Sequence, residues 1–229
     1  MSVARDPAAV GQEPLGLEPV AAEPVALSGR ALGTRGARTR RRLLDATARL
    51  LETHGIRDLR VVDIARSVET SPATFYQYFR DVEDAVLALA GEVGESTAPL
   101  RAVLAGSWDV DGGLDSARAL VDGFVDFWDV NRAVLRTRNL AAQEGDPRFR
   151  DVRNRALEPF TEAFAAHVRA AQRAGRVAPE LSAAAAGAAL VALLERMAAF
   201  HRDLEPLGID RAALVETTAR IIHQTVAGA

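Results

Sequence analysis

The strongest constraint on this chain lies between Asp58 and Phe79, where two short helical patterns are joined by a tight turn. The second helix starts at Ser71-Pro72. Serine is a favoured N-cap because its hydroxyl accepts a hydrogen bond from a free backbone N–H of the first turn. Proline suits the next position, where its missing N–H costs nothing. Phe75 and Phe79 are four apart and share one face. Ala73, Gln77 and Arg80 fall on the opposite face, with Thr74, Tyr76 and Tyr78 on the flanks. A short helix with an aromatic inner face and a small, amide- and hydroxyl-bearing outer face is what a helix-turn-helix lays in a DNA major groove.

The order Ile64-Ala65, then Ser71-Pro72-Ala73-Thr74-Phe75-Tyr76-Gln77-Tyr78-Phe79, then acidic and apolar residues opening a long helix, resembles the tetracycline-repressor-like (TetR-like) family within positions 38–90. The resemblance implies an all-α chain with an N-terminal three-helix DNA-binding domain and a helical C-terminal domain for ligand binding and dimerisation. The expected boundaries are a flexible tail at 1–35, the helix-turn-helix domain at 36–82 and the helical body at 83–229. Three positions depart from the family pattern. Val61 stands where Thr or Ser is common, and Val82 where Lys is common; each removes an expected phosphate contact. Glu69 stands where the inter-helix turn commonly has Gly. It must either take a backbone conformation that Gly takes more cheaply or mark a different turn.

Charge is segregated along the chain. Residues 1–29 hold one Arg against four acids (−3), residues 30–80 eleven Arg against five acids (+6), and residues 81–229 sixteen Arg against twenty-two acids (−6), which sum to the net −3. A basic N-terminal third in an acidic protein is an electrostatic footprint for nucleic acid; a solvated basic helix face is the alternative. All 28 basic residues are Arg, which reflects a composition bias of the whole chain.

Residues 1–33 are rich in Ala, Pro, Gly and Glu without a period and read as a tail. Arg35, Arg38, Arg40, Arg41 and Arg42 follow, as an arm for phosphate or minor groove or as a solvated run of charge. Helices are expected at about 38–54, from 81 through a kink at Pro99 to about 105, and then at 114–129, 131–143, 148–174, 180–203 and 209–226. Ala183 to Ala192 is rich in small residues that allow close helix approach. Leu214, Val215, Ile221, Ile222 and Val226 form an apolar stripe. The family pairs its last two helices into a homodimer, and these residues are the expected surface, with intramolecular packing as the alternative. A dimer in turn implies a palindromic operator.

Thr74 and Gln77 are expected to contact base edges, Gln favouring adenine. Tyr76 and Tyr78 are expected on phosphate or sugar, beside Ser71 and Ala73. Arg38, Arg42, Arg57, Arg60 and Arg66 are expected to supply electrostatic affinity. In the body, Phe124, Phe127, Trp128 and Phe164 are the candidates for lining a cavity for a small apolar effector. Asn139, Gln143 and Glu144 could orient a polar group or simply form a solvated helix end.

Other chemistries find little support. There is no Cys for a disulfide framework or thiolate metal site, consistent with a cytoplasmic protein. The longest apolar run, Ala183 to Leu194, falls short of the roughly 18–20 residues a membrane span needs, and the N-terminus has no apolar signal core. His201 and Glu205 sit at i, i+4 but lack a third ligand, so no metal site, cofactor or enzyme activity is expected. The expectation is a sequence-specific transcriptional regulator, a ligand-responsive repressor acting as a dimer on double-stranded DNA. The alternative is a helical small-molecule-binding protein with weakened or non-specific DNA binding.

Overall fold

The computed structural model describes residues 32–108 and 112–228, and among these the regular structure is helical with no strand. The head holds α1 (Thr34–Leu51), α2 (Val61–Ser67) and α3 (Pro72–Phe75). α1 starts earlier than the sequence suggests: the N–H of Ala37 bonds to the carbonyl of Gly33 at 3.0 Å, so Thr34 and Arg35 belong to the helix and not to the tail. Of the tail expected at 1–35, residues 1–31 lie outside the described residues.

α4 (Val82–Glu95) is capped by Asp81, whose carboxylate accepts from the N–H of Asp84 at 2.7 Å. Where a kinked continuation is expected, the chain breaks at Ser96-Thr97 and resumes as α5 (Ala98–Leu104). Pro99 has no N–H to continue the ladder. The Ser96 and Thr97 hydroxyls instead donate to the carbonyls of Val93 and Gly94, at 2.8 and 2.7 Å. The body continues with α6 (Gly113–Gln143), α7 (Pro147–Arg173), α8 (Ala183–Leu204) and α9 (Arg211–Ala227). α6 is one helix where two are expected. Asn131 does not break it, because its side-chain amide donates to the Phe127 carbonyl at 2.9 Å within the helical path.

Two apolar clusters form. The body core joins Trp108, Phe124, Phe127, Trp128, Phe160 and Phe164 to the inner faces of α8 and α9. The head core joins Leu43, Leu44, Ile64, Phe75 and Phe79 to α4, and it also contains Val134 of α6 and Phe149 of α7. Head and body therefore share buried side chains. Ion pairs between Arg40, Arg41 and Glu92, and between Arg57 and Glu144, lie along the same junction.

The expected dimer surface is redistributed. Leu214, Ile222 and Val226 are buried in the chain's own core, leaving Ile221 of that stripe exposed. Gly187 lies against α7, where a Cβ would meet the carbonyl oxygen of Thr161 at 2.5 Å. Part of the small-residue run thus serves intramolecular packing, with Ala186 buried beside it, while Ala184, Ala185, Ala188, Ala189 and Ala192 form an exposed outer face. Contrary to the sequence expectation, Ala183–Leu207 is by length and composition apolar enough to cross a membrane; its inner face packs on α6 and α7.

Candidate nucleic-acid interface

Ser71 caps α3 as expected, its hydroxyl accepting from the N–H of Thr74 at 3.2 Å. α3 is a single turn that continues as tighter i→i+3 turns, with Gln77 N–H on the Thr74 carbonyl and Tyr78 N–H on the Phe75 carbonyl. At three residues per turn, positions i and i+3 eclipse, so Thr74 and Gln77 come side by side. Phe75 and Phe79 hold this segment from within, buried with ring centroids 5.4 Å apart, and the Arg40 guanidinium lies over the Phe79 ring.

Outside lies a groove of about 760 Å³ that brings Arg35, Arg38 and Arg42 of α1 together with Thr74, Gln77 and Tyr78. Arg42 also donates to the Val68 carbonyl at 2.7 Å, which ties α1 to the end of α2. Arg35 of the expected arm lines the groove, and Thr39 joins it beyond the residues expected; its signal was a spacing of four from Arg35 and three from Arg42 on one helix. Ser71, Ala73 and Tyr76 are exposed on the same segment but do not line this groove. Arg60 and Arg66 flank Asp63 at 4.0 and 3.8 Å and point into solvent. Arg57 is drawn away, to Glu144 of the body at 2.8 Å.

The departures from the family pattern have local causes. Glu69 takes the left-handed conformation, φ 56°. It closes α2 with its own N–H on the Arg66 carbonyl and that of Thr70 on the Ala65 carbonyl, the paired bonds of a Schellman motif. Val61 is partly buried against the head core and Val82 lies within it, so both act in packing.

In the body, Phe124, Phe127 and Trp128 line an internal cavity of about 10 Å³, closed down to the size of one water. Phe160, not singled out from sequence, completes it edge-to-face on Phe124 at 5.6 Å. Phe164 is not part of the lining; it packs edge-on against Trp108 at 6.0 Å.

The cavity wall carries a buried charge cluster that sequence reasoning missed. Glu195 accepts from Arg138 at 3.0 Å, from the Asn139 amide at 3.1 Å, and from Arg153. Burial pulls the Arg138 guanidinium down to about 10, against the opposing pull of Glu195. The signal was present: Glu195 falls on the same stripe as Val191, Leu194 and Ala198. Glu144 is taken by Arg57, and Gln143 lines an outer groove described below. His201 faces Asp129, with 3.3 Å between Nε2 and the carboxylate. Among the described residues no cluster of three His, Asp or Glu is placed to hold a metal.

A helix-turn-helix head on a helical body with an aromatic core is the architecture of a DNA-binding transcriptional regulator. The chain belongs to the tetR family. Residues 43–89 match the model for bacterial regulatory proteins of the tetR family, and residues 100–229 match the tetracyclin repressor-like C-terminal domain. No curated protein matches the chain.

Solved structures share the fold. The fatty acid degradation regulator FadR from Bacillus halodurans is 18% identical with a TM-score of 0.64, over 85% of this chain and 97% of that one. FadR from Bacillus subtilis in complex with stearoyl-CoA is 14% identical with a TM-score of 0.62, over 82% and 98%. A Saccharomonospora viridis transcriptional regulator in complex with choline is 23% identical with a TM-score of 0.56, over 82% and 95%.

Proposed function

We propose that this protein is a ligand-responsive repressor that binds a palindromic operator as a homodimer in the cytoplasm. The observation that carries the proposal is the convergence of Arg35, Arg38 and Arg42 with Thr74 and Gln77 on one exposed groove. The arginines supply sequence-independent affinity for phosphate, while Thr74 and Gln77 present hydroxyl and amide groups to base edges. Tyr76 and Tyr78 position the segment on the backbone, and Arg35 and Arg38 at the start of α1 act as the basic arm. One short recognition segment reads few base pairs, so two heads related by a two-fold axis read a palindrome. The outer face at the start of α8 (Ala184, Ala185, Ala188 and Ala189) with Ile221 of α9 supplies the partner surface.

The working units are a head from the start of α1 at 34 to 82 and a body at 83–229. Relatives of this fold hold stearoyl-CoA or choline, which supports an effector in the body of this chain too. Val134 and Phe149 link the two units. An effector that moves α6 and α7 therefore changes the setting of the heads and shifts the dimer between binding and non-binding states.

The test is binding to the DNA upstream of the protein's own gene against a scrambled duplex, for wild type and Gln77→Ala. The variant is expected to lose about 1–3 kcal/mol on the operator with relaxed choice at one base pair. Equal loss on both duplexes removes Gln77 from base recognition, and equal wild-type affinity for both refutes sequence-specific regulation through this DNA.

A further inference from the structure

A second opening lies on the other side of the Glu195 wall. It is a groove of about 1070 Å³ between α6, α7 and α8, large enough for a drug-sized molecule. Six arginines line it (Arg132, Arg136, Arg150, Arg153, Arg196 and Arg202) against two carboxylates, Glu195 and Asp203. This concentration is set in the part of the chain where acids outnumber arginines by twenty-two to sixteen.

The arginines are incompletely matched. Among the described residues Arg136 and Arg150 have no carboxylate partner, and Arg196 only stacks over the Phe200 ring, 3.6 Å from its centroid. Arg132 and Arg202 share Asp129, at 2.7 and 3.0 Å, and Arg132 also donates to the Ala199 carbonyl; its Nε alone is buried without a hydrogen-bond acceptor, although a buried donor normally has one. Glu195 is already shared by Arg138, Asn139 and Arg153 and has little capacity left for the others. The floor has a different character. Trp128 and Glu195 line this groove and also the internal aromatic cavity, and Leu140 and Phe200 are exposed along the rim.

We infer that this groove is the binding site for an anionic amphiphile, a small molecule with a carboxylate or phosphate head and an apolar part. The head is held by the unmatched guanidinium groups, whose planar forks fit carboxylate and phosphate oxygens bidentately. The apolar part lies along Phe200 and Leu140 toward Trp128. Seating the head redistributes the pairing around Arg153 and Glu195, so the same molecule acts on the wall between groove and cavity. Its role as effector rests on the repressor function proposed above; its binding does not.

The probes are four twelve-carbon chains differing only in the head: dodecyl phosphate, dodecanoate, dodecanol and dodecyltrimethylammonium. Each is titrated calorimetrically into the full-length protein below its micelle concentration. Phosphate and carboxylate are expected to bind about tenfold or more tighter than the alcohol, the worth of one charge-assisted hydrogen bond, with the advantage shrinking in salt. A preference for phosphate over carboxylate or the reverse identifies the head. The variant R136Q/R150Q alters two exposed side chains. It is expected to keep the wild-type melting temperature and lose that advantage while holding the alcohol unchanged.

Equal binding of all four probes, or anion binding unaffected by R136Q/R150Q, overturns the inference. So does a variant that dissociates the dimer in light scattering while anion binding persists, since the groove is then a subunit contact. Operator binding is measured separately on wild type. Protein that prefers the anions but ignores operator DNA refutes the repressor function alone; protein that binds operator but does not distinguish the heads refutes this site alone.

Discussion

Replacing Glu195 by Gln should be among the most damaging single changes of nearly constant volume in the body. The carboxylate is 6% exposed and Arg138 only 2% exposed. Both oxygens are used, one by Arg138 and Asn139 and the other by Arg153. The glutamine amide supplies one acceptor but turns an NH2 toward a guanidinium that is itself a donor. Arg138 then remains charged in a site that burial already disfavours. Removing one partner of a buried pair costs about 3–5 kcal/mol. At about 2–4 °C per kcal/mol for a chain of this size, that is a fall in Tm of about 6–20 °C.

Urea denaturation at fixed protein concentration measures it, with an unchanged slope showing that stability alone has moved. The companion variant R138M/E195L removes both buried charges; Arg153, partly exposed, can turn to solvent. It should recover most of the loss, since apolar replacement of buried pairs is often neutral or better. A single variant within about 1 kcal/mol of wild type, or a double variant as unstable as the single, would falsify the view that charge pairing stabilises this wall.

Three further outcomes follow from local geometry. Glu69→Gly relieves a left-handed φ of 56°; the relief of about 1–2 kcal/mol less the entropy cost of glycine leaves a gain of about 0.5–1 kcal/mol, and a lower Tm would contradict it. Gly187→Ala places a Cβ 2.5 Å from the Thr161 carbonyl oxygen, so overpacking should cost about 1–3 kcal/mol in denaturant titration, and an unchanged midpoint would show that α7 and α8 can separate freely. The Glu216 carboxyl is held down to about 2 by hydrogen bonds from Arg118 and Arg220. Its folded pKa is depressed, so its stabilisation is present above the usual carboxylate range and is lost as pH falls toward 2. Glu216→Gln should flatten that acid limb of the stability curve, and an unaltered limb would assign it to other carboxylates.

The head was largely legible because its signals are local. The Ser71-Pro72 cap, the Phe75/Phe79 spacing and the run of arginines depend on residues a few positions apart; the structure realises the first two in place and brings Arg35, Arg38 and Arg42 to the groove, whereas Arg40 and Arg41 turn to Glu92. Glu69 was readable as a conformational question, and φ resolves it. Arg57 was not readable: basic charge near a helix-turn-helix suggests phosphate, but its partner, Glu144, lies 87 positions away. The aromatic cavity residues were partly legible for a similar reason. Phe124, Phe127 and Trp128 share a helix face, whereas the pairing of Phe164 with Trp108 is a tertiary contact.

By itself, then, the sequence determined helical periodicity, the caps, the composition of the exposed face that follows Ser71 and the segregation of charge. All of these are governed by interactions within one or two turns of chain. Only the tertiary structure decided which face of each helix is spent inside the molecule. Leu214, Ile222 and Val226 went to the core, and Gly187 to the α7 contact. Arg138, Arg153 and Glu195 came together from three helices. An apolar stripe or an isolated charge carries no address in sequence, because burial is non-directional and a salt bridge is defined by the one partner that packing brings within reach.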